Sequence, residues 1–386
     1  MPLVLAPLLA MATAMPAAAS QHGTAGTRPA TADQRGSTGP GLSASHLART
    51  LAGPATTSAI AGYAWSQSPE HTGATESYYT YNVTGRPVDV DWASTGEYEV
   101  TFHGLGGING GDVGVSVYGT AATCAIGSWS AGSGSLFVTV SCFSYTGAPA
   151  NADFDVMATL PRTRPVPAGT YDYSLMYRPD SSGTLTGATQ YNSAHKTNSV
   201  RYSPAGKYEY QVTLGGRRSS GTTGVVKVTA DGTAGGDCYA IGWHGSRAGE
   251  VVDVNCVSPT GARQQRAFLV VYTTGNNLMA VNGLTDANAY ASRSVGVYQP
   301  GDQYDSHRGA HVTVVRYGTG RYEVLFPGSE GSSGGGDVQI AAVGSTSRHC
   351  YVQSWQQQFT PAAYVTCVTN GDRLANSAFA IEWVVG

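Results

Sequence analysis

Six cysteines carry the most direct covalent chemistry in this chain, and they recur on a fixed pattern. Cys124, Cys238 and Cys350 are each followed five residues later by a tryptophan, at Trp129, Trp243 and Trp355. A second cysteine follows at Cys142, Cys256 and Cys367, and twelve residues beyond each stands Phe154, Phe268 or Phe379. No Cys-x-x-Cys occurs, so nothing signals a redox dithiol. Two cysteines per copy with no recurring histidine cannot complete a tetrahedral zinc site, and neither a metal nor a cofactor is expected. Structural bridges are what remain: Cys124 to Cys142, Cys238 to Cys256 and Cys350 to Cys367. Each would close a loop worth about 3 kcal/mol by chain-entropy reasoning.

The tryptophans offer recognition instead of bond making. Five residues is an odd step along a strand, so if the first cysteine faces inward, Trp129, Trp243 and Trp355 face outward. Three outward indoles could stack on the apolar faces of sugar rings. A β-bulge between cysteine and tryptophan would reverse the parity and bury the rings, or pack them against a neighbouring copy. Both readings stand at this level.

Other groupings carry less. Gly331-Ser332-Ser333-Gly334-Gly335 fits the nucleophile-elbow pattern, with Asp305, His307 and His311 in the same copy, but the elbow needs a strand before it and a helix after it. Here the serines sit in a glycine-serine loop. Asp89 and Asp91 share a strand face, as an acid pair, a calcium site or a plain solvated face all would. Asp112 and Asp337 follow paired glycines and read as turn caps. Positions that recur across the copies form no acid, base or nucleophile constellation, which weighs against catalysis without excluding a site in one diverged copy or at a junction.

The elements that position these residues are short strands. Glu97 to Phe102 alternates Tyr98, Val100 and Phe102 with polar residues, and Lys207 to Val212 and Arg321 to Phe326 repeat it behind Gly96, Gly206 and Gly320. On that alignment Tyr98, Tyr208 and Tyr322 correspond, as do Tyr81, Tyr191 and Tyr304, and Asn82, Asn192 and Asp305. With no helical period in view, the expected fold is all-β: three tandem antiparallel sandwich-like modules of about seven strands, each with one disulfide, with small barrels as the alternative. The boundaries read as a signal peptide over 1–19, an Ala/Thr/Gly/Ser/Pro-rich disordered leader over 20–58, and modules over 59–162, 163–276 and 277–386. Asn82-Val83-Thr84 matches a glycosylation acceptor.

Charge narrows the partners. Only 12% of residues are charged, the formal net charge is -3, and Arg217-Arg218 is the only adjacent basic pair, so no field exists to hold nucleic acid. The apolar start is too short to span a membrane and ends in small residues, as export signals do. Export to an oxidising compartment agrees with paired cysteines.

Tyr-Asn-x-x-Gly at Tyr81 to Gly85, Gly-x-Tyr-x-Val-x-Phe at Gly96 to Phe102 and Gly-Gly-Asp-Val at Gly110 to Val113, with the Cys-x4-Trp hairpin, resemble secreted tandem-repeat proteins of actinobacteria and other soil bacteria. The resemblance implies export and repeat architecture over 60–386 and no catalytic residues; the second copy departs from it most, at His195 and at Thr223 to Val225. The expected function is non-catalytic binding of an extracellular polysaccharide or a cell surface. The alternatives are a secreted hydrolase with its site in one module, and a structural spacer.

Overall fold

The computed structural model describes residues 60–76, 79–106, 111–160, 172–178, 190–202, 209–216, 224–275, 278–279, 284–293, 295–307, 309–329, 336–344, 347–357 and 360–386. The expected signal peptide and leader, Arg217-Arg218, Lys207 with Tyr208, and the Ser332-Ser333 loop lie outside them.

The first module supplies β1 (Ile60–Trp65), β2 (Thr72–Ala74), β3 (Thr80–Asn82), β4 (Val88–Ser94), β5 (Glu97–His103), β6 (Asp112–Tyr118), β7 (Thr123–Gly132), β8 (Ser135–Phe143) and β9 (Asp153–Leu160). The second supplies β10 (Asp172–Arg178), β11 (Gln190–Asn192), β12 (Ser199–Tyr202), β13 (Tyr210–Gly215), β14 (Val225–Asp231), β15 (Asp237–Gly245), β16 (Gly249–Val257) and β17 (Ala267–Thr274). The third supplies β18 (Thr285–Ala291), β19 (Val297–Tyr298), β20 (Gln303–Asp305), β21 (Thr313–Gly318), β22 (Arg321–Leu325), β23 (Asp337–Val343), β24 (His349–Gln356), β25 (Ala362–Val368) and β26 (Ala378–Val385). The modules therefore carry nine, eight and nine strands among the described residues, more than the expected seven, because two- to four-residue edge strands leave no clear alternation in the sequence.

Each module is a sandwich of two half-sheets, but no sheet belongs to one module. The sheets run β19-β21-β22-β25-β24-β6-β9-β1-β3, β11-β10-β17-β14-β7-β8-β5-β4-β2 and β12-β13-β16-β15-β23-β26-β18-β20. They are open sheets, not the alternative small barrels. At every seam a cysteine strand of one module pairs in parallel with the β6-type strand of another: Ile126 with Asp231, Ala240 with Val343, Val352 with Tyr118. First meets second, second meets third, and third meets first, so the modules close a ring with pseudo-threefold wiring. Gly119, Gly232 and Gly344 follow the β6-type strands at positive φ and donate their N–H groups to Val352, Ile126 and Ala240 across the seams, at 2.7, 2.7 and 2.9 Å. Glycine suits this station because the chain must turn in the left-handed half of φ/ψ space.

Within each sandwich the recurrent aromatics form the core. Tyr98 packs on Phe154, Tyr210 on Phe268 and Tyr322 on Phe379, with ring centroids 4.9, 5.0 and 5.1 Å apart. Their hydroxyls accept the N–H groups of Ala152, Arg266 and Ser377, so each of these three buried phenols has a partner. This corrects the alignment of the second copy: Tyr210, not Tyr208, corresponds to Tyr98 and Tyr322. Asn82, Asn192 and Asp305 accept the N–H two residues on, the Asx turn behind the recurrent motif. Asn82 is also buried and donates to His103 O at 2.8 Å, so its acceptor motif is not presented to solvent. Among the described residues no helix is long and apolar enough to cross a membrane.

Candidate functional site

The three cysteine pairs lie directly opposite each other in their hairpins and form the bridges Cys124–Cys142, Cys238–Cys256 and Cys350–Cys367, with Cα atoms 4.0 to 4.1 Å apart. No free cysteine is present among the described residues.

The tryptophans do not take the outward stations that simple parity gives them. In each cysteine strand the register slips by one residue, at Gly127, Ile241 and Gln353, and this bulge returns the indole to the cysteine's side. Trp243 is buried at 2% exposure, while Trp129 and Trp355 are half-buried against the first and third cores. Two of them reach the neighbouring module: Trp243 lies 4.5 Å from Tyr290, and Trp355 meets Tyr79 edge-on at 5.6 Å. The bulges sit next to the residues that make the inter-module bridges, so one irregularity both turns the ring and shapes the seam.

The exposed aromatics stand elsewhere. Trp92, Tyr202 and Tyr317, at 37%, 37% and 56% exposure, lie one per module at the ends of β4, β12 and β21. Trp92 and Tyr202 occupy the same register, opposite Tyr98 and Tyr210, and Tyr317 is the bulged residue one step past that position. Each keeps polar or aromatic company. The Trp92 indole N–H donates to Asn151 Oδ1 at 3.2 Å, and Asn151 in turn donates to Glu70. In the third module Arg316, beside Tyr317, donates to Asn376 at 3.2 Å. Tyr202 leans on Tyr210 with centroids 5.1 Å apart. Each precedes a hairpin glycine in the sequence, but its depth depends on where the sandwich stops.

Titratable groups gather on the ring axis. Gly114, Lys227 and Gln339 are equivalent residues of β6, β14 and β23, and Lys227 Nζ donates to Gln339 Oε1. A Cβ at Gly114 would run into Lys227 Nζ, so the three copies divide one small space among a lysine, a glutamine and nothing. Asp112, Asp155, Asp337 and Glu382 surround the cation, all at 2% exposure or less. Asp112 and Asp337 are thus axial core residues, not turn caps, because the β6-type strands begin at them. Burial pushes Asp112 up to about 6 and Asp337 up to about 7, against the pull of Lys227, and raises Asp155 and Glu382 well above the carboxylate range. Burial also lowers Lys227, opposed by the four acids. Asp155 lies against Asp337, an arrangement that a shared proton stabilises. The segment Leu278-Met279 caps this centre, its amide and carbonyl bonded to Glu382 Oε1 and Thr159 Oγ1 at 2.8 and 2.6 Å. The cluster is thus withdrawn from solvent, with Lys227 itself at 3% exposure.

Two carboxylate readings resolve differently. Asp89 and Asp91 share a half-exposed face, but each has its own partner: His103 Nε2 at 2.7 Å and the Gly73 N–H at 3.0 Å. Ser135 Oγ stands 3.4 Å from the other nitrogen of His103, which completes a serine, histidine and aspartate series. Ser135 is buried at 8% exposure. His307 is exposed and its N–H closes the Asp305 turn. No group of three or more metal-binding side chains occurs among the described residues.

No family model matches the chain. No curated protein and no solved structure matches it either.

Proposed function

We propose that the protein is an exported, non-catalytic binding protein that engages an extracellular polysaccharide or a cell surface through three outward aromatic stations. The observation that carries this reading is the recurrence of one exposed aromatic, Trp92, Tyr202 or Tyr317, at the same strand end in each module. A flat ring flanked by amide and charged side chains suits the alternating apolar and hydroxyl faces of a sugar. Three stations fixed on one ring of modules turn weak single contacts into avidity on a repeating or surface-bound ligand. Export is supported by the apolar start and by the disulfides, which persist in oxidising compartments. The sealing of the axial acids and the burial of Ser135 favour binding over hydrolysis.

The test is a glycan array and a pull-down on insoluble polysaccharides, comparing the mature protein with a Trp92→Ala, Tyr202→Ala, Tyr317→Ala triple variant. The variant should fold normally and lose at least tenfold in apparent affinity. Undiminished binding by the triple variant would remove the aromatic stations from consideration.

A further inference from the structure

The inter-module junctions are built from equivalent residues, and one of them has been hollowed out. Where β26 ends against the first module, Tyr63 fills the space: its hydroxyl accepts the Gly386 N–H at 2.9 Å and its ring stacks on Tyr81 at 5.7 Å. Tyr63 stands opposite Tyr81 and Met157 in its sheet, and Asn288 stands opposite Tyr304 and Glu382 in the corresponding one. Tyr63 and Asn288 are therefore the same station, and Gly275 takes the place of Gly386 at the end of β17. An asparagine cannot reach as far as a tyrosine. The junction of the second and third modules accordingly holds a cavity of about 190 Å³, lined by Gly224, Thr273, Thr274, Gly275, Asn288 and Asp302 among others.

We infer that this cavity is a binding subsite for a single neutral sugar residue, an inference that rests on the carbohydrate-binding reading above and gives it a second, separable site. Among the described residues the lining includes the Thr274 hydroxyl, the Asp302 carboxylate and bare glycine main chain, groups that exchange hydrogen bonds with vicinal ring hydroxyls. Asp302 is the one charge in that lining among the described residues, and the Gly224 N–H holds its carboxylate in place. No cation stands beside it among the described residues, and an acceptor-only carboxylate repels phosphate, sulfate and uronate groups and welcomes neutral hydroxyls. The volume also sets a scale: at a share of ~30 Å³ per water the space corresponds to about six molecules, the size of one sugar ring. Ring hydroxyls can take over the hydrogen bonds of that displaced water.

The experiment is calorimetric titration and saturation-transfer NMR of the full chain with glucose, galactose, mannose and N-acetylglucosamine, on the wild type, Asn288→Tyr and Asp302→Asn. At least one of these sugars should bind the wild type in a one-to-one ratio. Asn288→Tyr should lose at least tenfold in affinity, because a tyrosine fills the equivalent space at Tyr63; Asp302→Asn should lose as much and decides the matter if the first variant is unstable. No binding of any of the four sugars, or equal binding by both variants, overturns the subsite. The aromatic triple variant separates the two proposals, since it should lose polysaccharide binding and keep the monosaccharide.

Discussion

Lys227 is the residue on which the axis depends. It stands amid four buried carboxylates, and the raised acids make the fold sensitive to pH in a defined direction. Asp112 and Asp337 hold protons up to about 6 and about 7 in the folded chain, whereas the unfolded chain releases them near the ordinary value of 3.8. The folded state thus binds more protons between those values, and the stability these acids contribute is complete below about pH 4 and lost as pH rises toward 7. A tenfold difference in proton affinity between the two states corresponds to about 1.4 kcal/mol. The melting temperature should be higher at pH 5 than at pH 8, and Asp337→Asn should flatten that difference; a melting temperature independent of pH in the wild type would contradict the account. Lys227→Met removes the cation that faces these acids. It should cost about 3 to 5 kcal/mol, the scale for breaking a buried pair, with a larger loss at pH 8 than at pH 5 by denaturant titration.

At the scale of the element, the cysteine hairpin shows how far alternation can be read. The cysteine pairing was legible because a separation of 17 or 18 residues fits two adjacent antiparallel strands, and the pairs do lie opposite one another. The tryptophan face was open to two readings because a bulge adds one residue and leaves no composition signal when it falls on Gly127, Ile241 or Gln353. Removing Gly127 should restore simple parity, expel Trp129 and red-shift its fluorescence; an unchanged spectrum in a folded variant would deny the bulge its role. Replacing Cys124 and Cys142 together by serine should lower stability by about 3 kcal/mol, measurable by chemical unfolding. The misplaced Tyr208 has a related cause. Strand periodicity is two, so a slip of two residues keeps every apolar residue on its face, and Tyr208 and Tyr210 satisfy the same pattern. Only the pairing of Tyr210 with Val254, matching Tyr98 with Val140 and Tyr322 with Val365, distinguishes them.

The three modules close a ring, and the ring explains features that no single module accounts for. Edges that would invite aggregation in a free module, those of β6 and β7, are paired across the seams, while the six sheet edges among the described residues are strands of two to four residues. The axial station holds a lysine and a glutamine and leaves no room for a third side chain. Three copies of the first module would bring together three glycines and their acids with no lysine, and three copies of the second would bring together three lysines. Residues 59–162 expressed alone should therefore be unfolded or aggregated at neutral pH by light scattering and near-ultraviolet circular dichroism. A folded monomer with unchanged tryptophan signals would show that the modules are independent after all.

By itself the sequence determined the local terms: strands from alternation, bridges from cysteine spacing, module number from the threefold echo, and a low charge content from composition. These depend on residues near one another along the chain, where a period of two and a short loop constrain geometry directly. The tertiary structure decided which faces are inside, that the modules share their sheets, that Asp112 and Asp337 join Lys227 on a sealed axis, and that Asn288 opens a cavity where Tyr63 closes one. Those outcomes arise from contacts between residues of different modules, far apart along the chain, and no local pattern encodes which seam a strand will find.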